Sequence, residues 1–146
     1  MGMSVNEAHA QGTPESVWAI ISQPSLYGDW VVGAEKVLEA DDSWPAEGSS
    51  LKHQSSVGPL NVEDVTTVLV ASAPNHIELD AHLGPIGKAK VVMDFISEAS
   101  GGTKIVMQET FDEGIASKAP GITDALLKGR NVETLRRLVD LSEGKR

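Results

Sequence analysis

The sequence predicts an α+β chain in which a curved seven-stranded antiparallel sheet holds one long C-terminal helix, in the order β-α-α-β6-α. Three observations predict it. Apolar residues alternate with polar ones in Ile77–Leu83, in Ala89–Phe95 and in Ile105–Phe111, as in an antiparallel sheet with one wet face. Gly-Pro, Pro-Asn and Gly-Gly pairs separate these runs as turns. From about Ile122 to Leu141 the spacing changes to that of a helix.

The elements follow in order. Val5 to Gln11 alternates loosely and reads as the first strand, which Gly12 ends. Thr13-Pro14-Glu15 starts a helix: Thr13 caps, Pro14 suits the first helical position, and Glu15 complements the dipole. Val17, Trp18, Ile20 and Ile21 form its buried side, and Pro24 stops it. Ser25 to Trp30 is a second short helix or turn. Val31 to Ala40 reads as a strand, and Asp41-Asp42-Ser43-Trp44-Pro45 as a turn. Leu51–Val57 and Leu60–Ala71 flank Gly58-Pro59 as a hairpin. Strands at Ile77–Leu83, Ala89–Phe95 and Ile105–Phe111 follow, divided by Gly84-Pro85 with Gly87 and by Gly101-Gly102. Gly114 to Gly121 reads as a loop. On the last helix, Ala125, Asn131, Val132, Leu135, Leu138 and Val139 share one arc, with Arg130, Glu133, Arg137 and Asp140 on the other.

Composition narrows the classes of partner. The 146 residues are the size of one domain, and no linker or repeat divides 1–146. Twelve basic against 21 acidic residues give a formal net charge of -9, which repels phosphate backbones and anionic headgroups. No nucleic-acid partner is expected. With no cysteine, disulfides and thiolate chemistry are excluded, and a cytoplasmic location is expected. The N-terminal residues carry no secretory or myristoylation signal, and no run approaches ~18 apolar residues, so no integral membrane association is expected.

Several segments resemble a known family. They are Thr13-Pro14-Glu15-Ser16-Val17-Trp18, Tyr27-Gly28-Asp29-Trp30-Val31-Val32-Gly33, Trp44-Pro45-Ala46-Glu47-Gly48, and Gly58-Pro59-Leu60 with Asp64 and Thr66. Gly102-Thr103 and Asn131-Val132-Glu133-Thr134-Leu135-Arg136-Arg137-Leu138 complete the set, in order along nearly the whole chain. Together they resemble the START-like superfamily with its helix-grip fold, and within it the polyketide cyclase/dehydrase-like proteins of bacteria. The resemblance implies a cavity between sheet and last helix. It carries over no catalytic residue, because that group holds cyclases, lipid binders and proteins of other roles.

Candidate site residues come from strand parity. A two-residue loop at Gly58-Pro59 sets His53 opposite Asp64, with Cβ atoms ~4.5–5.5 Å apart on a face that also carries Thr66. Such a pair orients an imidazole and raises its pKa, as a general base requires, so His53 and Asp64 are the candidate catalytic residues. The plainer reading is a cross-strand hydrogen bond at the cavity rim. Glu109 shares parity with Met107 and also points inward. In the helix-grip topology that the resemblance implies, about three strand positions separate it from Asp64, about 14 Å, so Asn131 on the last helix is its expected partner. Tyr27 and Trp30 lie where the family's pocket opens, and Met93 and Met107 sit on neighbouring inward strands. Tyr27, Trp30, Thr66, Met93, Met107, Glu109 and Asn131 are the candidate ligand contacts. No metal site and no cofactor are expected: His76 and His82 face solvent about 20 Å apart, His9 has no placed partner, and phosphate-loop and dinucleotide motifs are absent.

The leading expectation is a binder of an apolar or amphipathic small molecule, lipid-like or polyketide-like. One alternative is an aromatic polyketide cyclase or dehydratase using His53 and Asp64. The other is a non-catalytic interaction adaptor whose cavity is filled.

Overall fold

Seven antiparallel strands form one open sheet in the order β1-β7-β6-β5-β4-β3-β2, and a long helix packs across it. The structure, a computed structural model, describes residues 3–57, 60–82, 88–113 and 120–145. Strand β1 is Met3–Ala10, followed by helix α1 (Pro14–Ile21), a 3-10 turn (Pro24–Leu26) and helix α2 (Tyr27–Trp30). Then come β2 (Ala34–Ala40), β3 (Ser50–Val57), β4 (Leu60–Ser72), β5 (His76–His82), β6 (Lys88–Ser97) and β7 (Thr103–Glu113), and α3 (Pro120–Ser142) closes the chain. This is the expected helix-grip order.

Each step between β2 and β7 joins neighbours in sequence, because each turn is too short to cross over a strand. Strand β1 pairs instead with β7, from Met3 opposite Thr110 to Ala10 opposite Thr103. Irregularities in the β2/β3, β4/β5 and β6/β7 pairings break the register, which bends the strands. The inner faces of β5, β6 and β7 bury Ile77, Leu79, Met93, Phe95 and Ile105 in one core with Leu135 and Leu138 of α3. Trp18 of α1 meets Phe95 edge-on at 6.2 Å, and Trp44 is buried, donating its indole N–H to the Ile21 carbonyl at 3.0 Å.

Four expectations need correction. Thr13 stands at the N-cap of α1, but its side chain makes no capping bond; Ser16 Oγ donates to the Thr13 carbonyl at 2.6 Å instead. Val31–Gly33 is a turn rather than strand, with Gly33 at φ 100°, so β2 begins only at Ala34. Val132 is 57% exposed, because the buried stripe of α3 is centred on Asn131, Thr134, Leu135 and Leu138. Val132 lies 100° round from Asn131, outside that stripe. Finally, α3 starts at Pro120, so Gly121 belongs to the helix, while residues 114–119 of the expected loop lie outside the described residues. Outside them too are Leu83, Gly58-Pro59, Gly84-Pro85 and Gly87, with the side chains of Val57, Leu60, Phe111 and Ala125. Among the described residues, no helix is long and apolar enough to cross a membrane.

Candidate functional site

A cavity of about 180 Å³ lies between the concave sheet face and α3. It is smaller than the few hundred Å³ that a typical small-molecule site would have. Helix α2 contributes Tyr27 and Trp30, which meet edge-on at 5.4 Å. The turn Val31–Gly33 forms a rim, tied to α3 by the Val32 N–H donating to Thr134 Oγ1 at 3.1 Å. The sheet supplies Leu79, Ala81, Val91, Met93 and Met107 as apolar wall. Met93 and Met107 are direct register partners on β6 and β7.

One side of the cavity is polar. The β3/β4 register sets His53 opposite Asp64, as expected from the short loop between these strands. Both residues are buried and both line the cavity. The ring, however, bonds elsewhere. Its Nδ1 pairs with Ser55 Oγ at 3.1 Å and its Nε2 approaches Thr66 Oγ1 at 3.3 Å. Thr66 also bonds Tyr27 Oη at 3.0 Å, so the four side chains form one chain of hydrogen bonds. The Tyr27 and His53 rings lie 5.2 Å apart.

Burial lowers the His53 pKa below its usual value, outweighing the opposite pull of the Asp64 charge. The expected rise is therefore overturned: desolvation of the imidazolium exceeds its attraction to one carboxylate. Burial also pushes Tyr27 up to about 12, so it stays a neutral phenol, partly offset by its bond to Thr66. Thr66 itself is not a wall residue. It stands fully buried behind Tyr27 and His53 and holds both in place.

Glu109 forms the second polar point. Asn131 Nδ2 donates to its Oε1 at 3.0 Å, the expected partnership. Arg130, placed by helical phase on the solvent arc, also reaches it: Nη2 lies 2.8 Å from Oε1 and 2.9 Å from Oε2. Arg130 stands one residue before Asn131, at the edge of the buried stripe, and its long side chain bends back. Three strand steps do separate Glu109 from Asp64, yet both line the same cavity because the sheet curves around it. Ser55, Leu79, Ala81, Val91, Arg130, Thr134 and the segment Val31–Ala34 were missing from the sequence-based set. Strand parity was the available signal for Ser55, Leu79, Ala81 and Val91.

The remaining histidines lie away from the cavity. His76 bonds Asp94 at 2.6 Å and Glu78 at 2.7 Å on the outer sheet face, and His9 pairs with Glu98 at 3.0 Å. Among the described residues no three His, Asp or Glu side chains are grouped to hold a metal ion.

Comparison with known proteins places this geometry. No protein of curated function matches the sequence. Solved structures match over nearly the full length at low identity. A conserved protein from Geobacillus kaustophilus superposes with a TM-score of 0.77 at 15% identity, covering 98% of this chain and 96% of its own. The protein Ara h 8.0201 gives 0.76 at 11% identity, with 98% of each chain covered. The di-domain ARO/CYC BexL from the BE-7585A biosynthetic pathway gives 0.73 at 15% identity, covering 97% of this chain and 50% of that one. At these identities the likeness is one of fold. The sequence itself goes further: the model of the polyketide cyclase / dehydrase and lipid transport family matches residues 4–143, and the chain belongs to that family.

Proposed function

We propose that the protein binds one small, largely apolar molecule in the cavity between the sheet and α3. The observation that carries this reading is an open cavity of about 180 Å³ walled by Trp30, Met93 and Met107, with polar side chains at fixed points. Apolar walls supply affinity and a few placed polar groups supply orientation. The volume suits a compound of one or two rings better than a long acyl chain. Among the wall residues, Tyr27, Trp30, Met93 and Met107 would contact the body of the ligand, and His53, Asp64, Glu109 and Asn131 its polar groups. An open cavity weighs against the filled-cavity adaptor.

A second reading is catalysis, in which His53 removes a proton from an enolisable substrate while Asp64 steadies the resulting imidazolium. The lowered pKa keeps the imidazole free to accept a proton at neutral pH. Against it, both ring nitrogens are already engaged, by Ser55 and Thr66. Binding alone asks for no such rearrangement.

The test is NMR of the methionine methyl groups during titration with propylbenzene, naphthalene and indole. Saturable shifts at Met93 and Met107 are expected. Their absence for all three compounds at their aqueous solubility limits would overturn the binding reading.

A further inference from the structure

Four buried polar atoms have no hydrogen-bond partner among the described residues: Trp30 Nε1, Asp64 Oδ2, Arg130 Nε and Asn131 Oδ1. All four belong to residues lining the one cavity described above. Buried polar atoms in folded proteins are nearly always met by protein, water or ligand. A ligand that displaces water from such a site must replace the bonds it removes. Asp64 and Asn131 ask for donors, while Trp30 and Arg130 each offer one N–H.

Charge narrows the choice. Glu109 is balanced by Arg130, whose Nη2 contacts both of its oxygens. His53 gives Asp64 no counter-charge at neutral pH, because burial disfavours its protonated form. No salt bridge reaches Asp64 among the described residues, and Asp64 is only 2% exposed. Asp64 is therefore the acidic side chain of the cavity without a counter-ion among the described residues. An anionic ligand would meet that carboxylate in a site of low dielectric, inside a protein of net charge -9. A cationic donor would be favoured, because charge-assisted hydrogen bonds are about twice as strong as neutral ones.

We propose that the ligand is a small ring compound carrying a protonated primary amine, its ammonium set against Asp64 and its ring against Trp30, Met93 and Met107. The site discriminates against carboxylates of the same size, so free fatty acids and aryl carboxylates are poor ligands. This inference rests on the binding reading above and adds the charge class of the ligand.

The experiment compares phenethylamine, propylbenzene and 3-phenylpropanoate on the intact protein, reading the Met93 and Met107 methyl shifts. Phenethylamine is expected to bind about tenfold or more tightly than either of the others, the scale of one hydrogen bond to a charged group. In Asp64→Asn the amine's advantage over propylbenzene should fall below about threefold. Equal or tighter binding of 3-phenylpropanoate overturns the inference, as does an amine preference that survives in Asp64→Asn. If Asp64→Asn fails to fold, the ranking of the three compounds on the wild-type protein decides alone. Propylbenzene binding without any amine preference overturns this inference and leaves the binding reading standing. Silence from all three compounds overturns both.

Discussion

One nitrogen of Arg130, Nη2, contacts both carboxylate oxygens of Glu109, at 2.8 and 2.9 Å, across the gap between α3 and β7. Glu109 is 1% exposed, and the Arg130 side chain keeps 25% of its surface in solvent. Removing Arg130 therefore strands a buried carboxylate whose remaining partner among the described residues is Asn131. Arg130→Ala should destabilise the fold by about 2–3 kcal/mol, under the usual cost of breaking a fully buried pair because Arg130 is partly solvated. Glu109→Leu combined with Arg130→Met should recover most of that loss. Urea unfolding of the single and double variants checks both statements.

Asp64 raises the His53 pKa by its charge, while burial lowers it by more. Asp64→Asn removes only the raising part. The His53 ring should then titrate at a still lower pH, by NMR, than in the wild-type protein. An unchanged or higher value would show that the carboxylate and the ring do not sense each other across the β3/β4 register.

The two histidines of altered pKa act on stability with opposite signs. Burial disfavours the proton on His53, so the folded state is fully stable above the free-imidazole value of 6.5 and loses stability as pH falls through the lowered folded value. Bonds from Asp94 and then Glu78 favour the proton on His76. Its contribution is complete below 6.5 and lost as pH rises through the raised folded value. Urea midpoints measured from about pH 5 to 8 should lose their acid-side slope in His53→Gln and their alkaline-side slope in His76→Gln. Finding both changes on the same side of neutrality would contradict the assignment.

Gly102 stands where β7 begins against the end of β1. A Cβ there would lie 2.5 Å from the Ala10 carbonyl oxygen, a backbone atom with no room to yield. Gly102→Ala should cost about 1–3 kcal/mol, the range for overpacking, with the denaturant slope unchanged. A stability within error of wild type would mean that the two strands separate there at little cost.

The sheet was legible because its inward residues recur at every second position and its turns are marked by glycine and proline. The His53–Asp64 register followed from a short loop alone, since loop length fixes pairing. The bonding of those side chains was not legible. Strand parity gives a face, but not which neighbour a ring will choose, and His53 chose Ser55 and Thr66. Desolvation also depends on how completely the other elements cover the ring, which no local pattern carries. Arg130 was misplaced for a related reason: helical phase locates a Cβ, whereas a guanidinium reaches well beyond it. Val31–Gly33 was apolar enough to read as strand, yet a glycine at φ 100° turned it into the cavity rim.

The pairing of β1 with β7 has a consequence for how the protein is made. Ala10 finds its partner Thr103 only after about ninety further residues have been synthesised, roughly 5–20 s at ordinary translation rates. Through that interval β1 has no strand beside it, and its outward Met3 and Val5 stay exposed even in the finished fold. An unpaired strand edge is a template for other chains. Every other strand can pair with a neighbour already made or made next. The strand synthesised first is thus the last to be secured, and crowding on polyribosomes should penalise this chain more than one whose opening strand has a local partner.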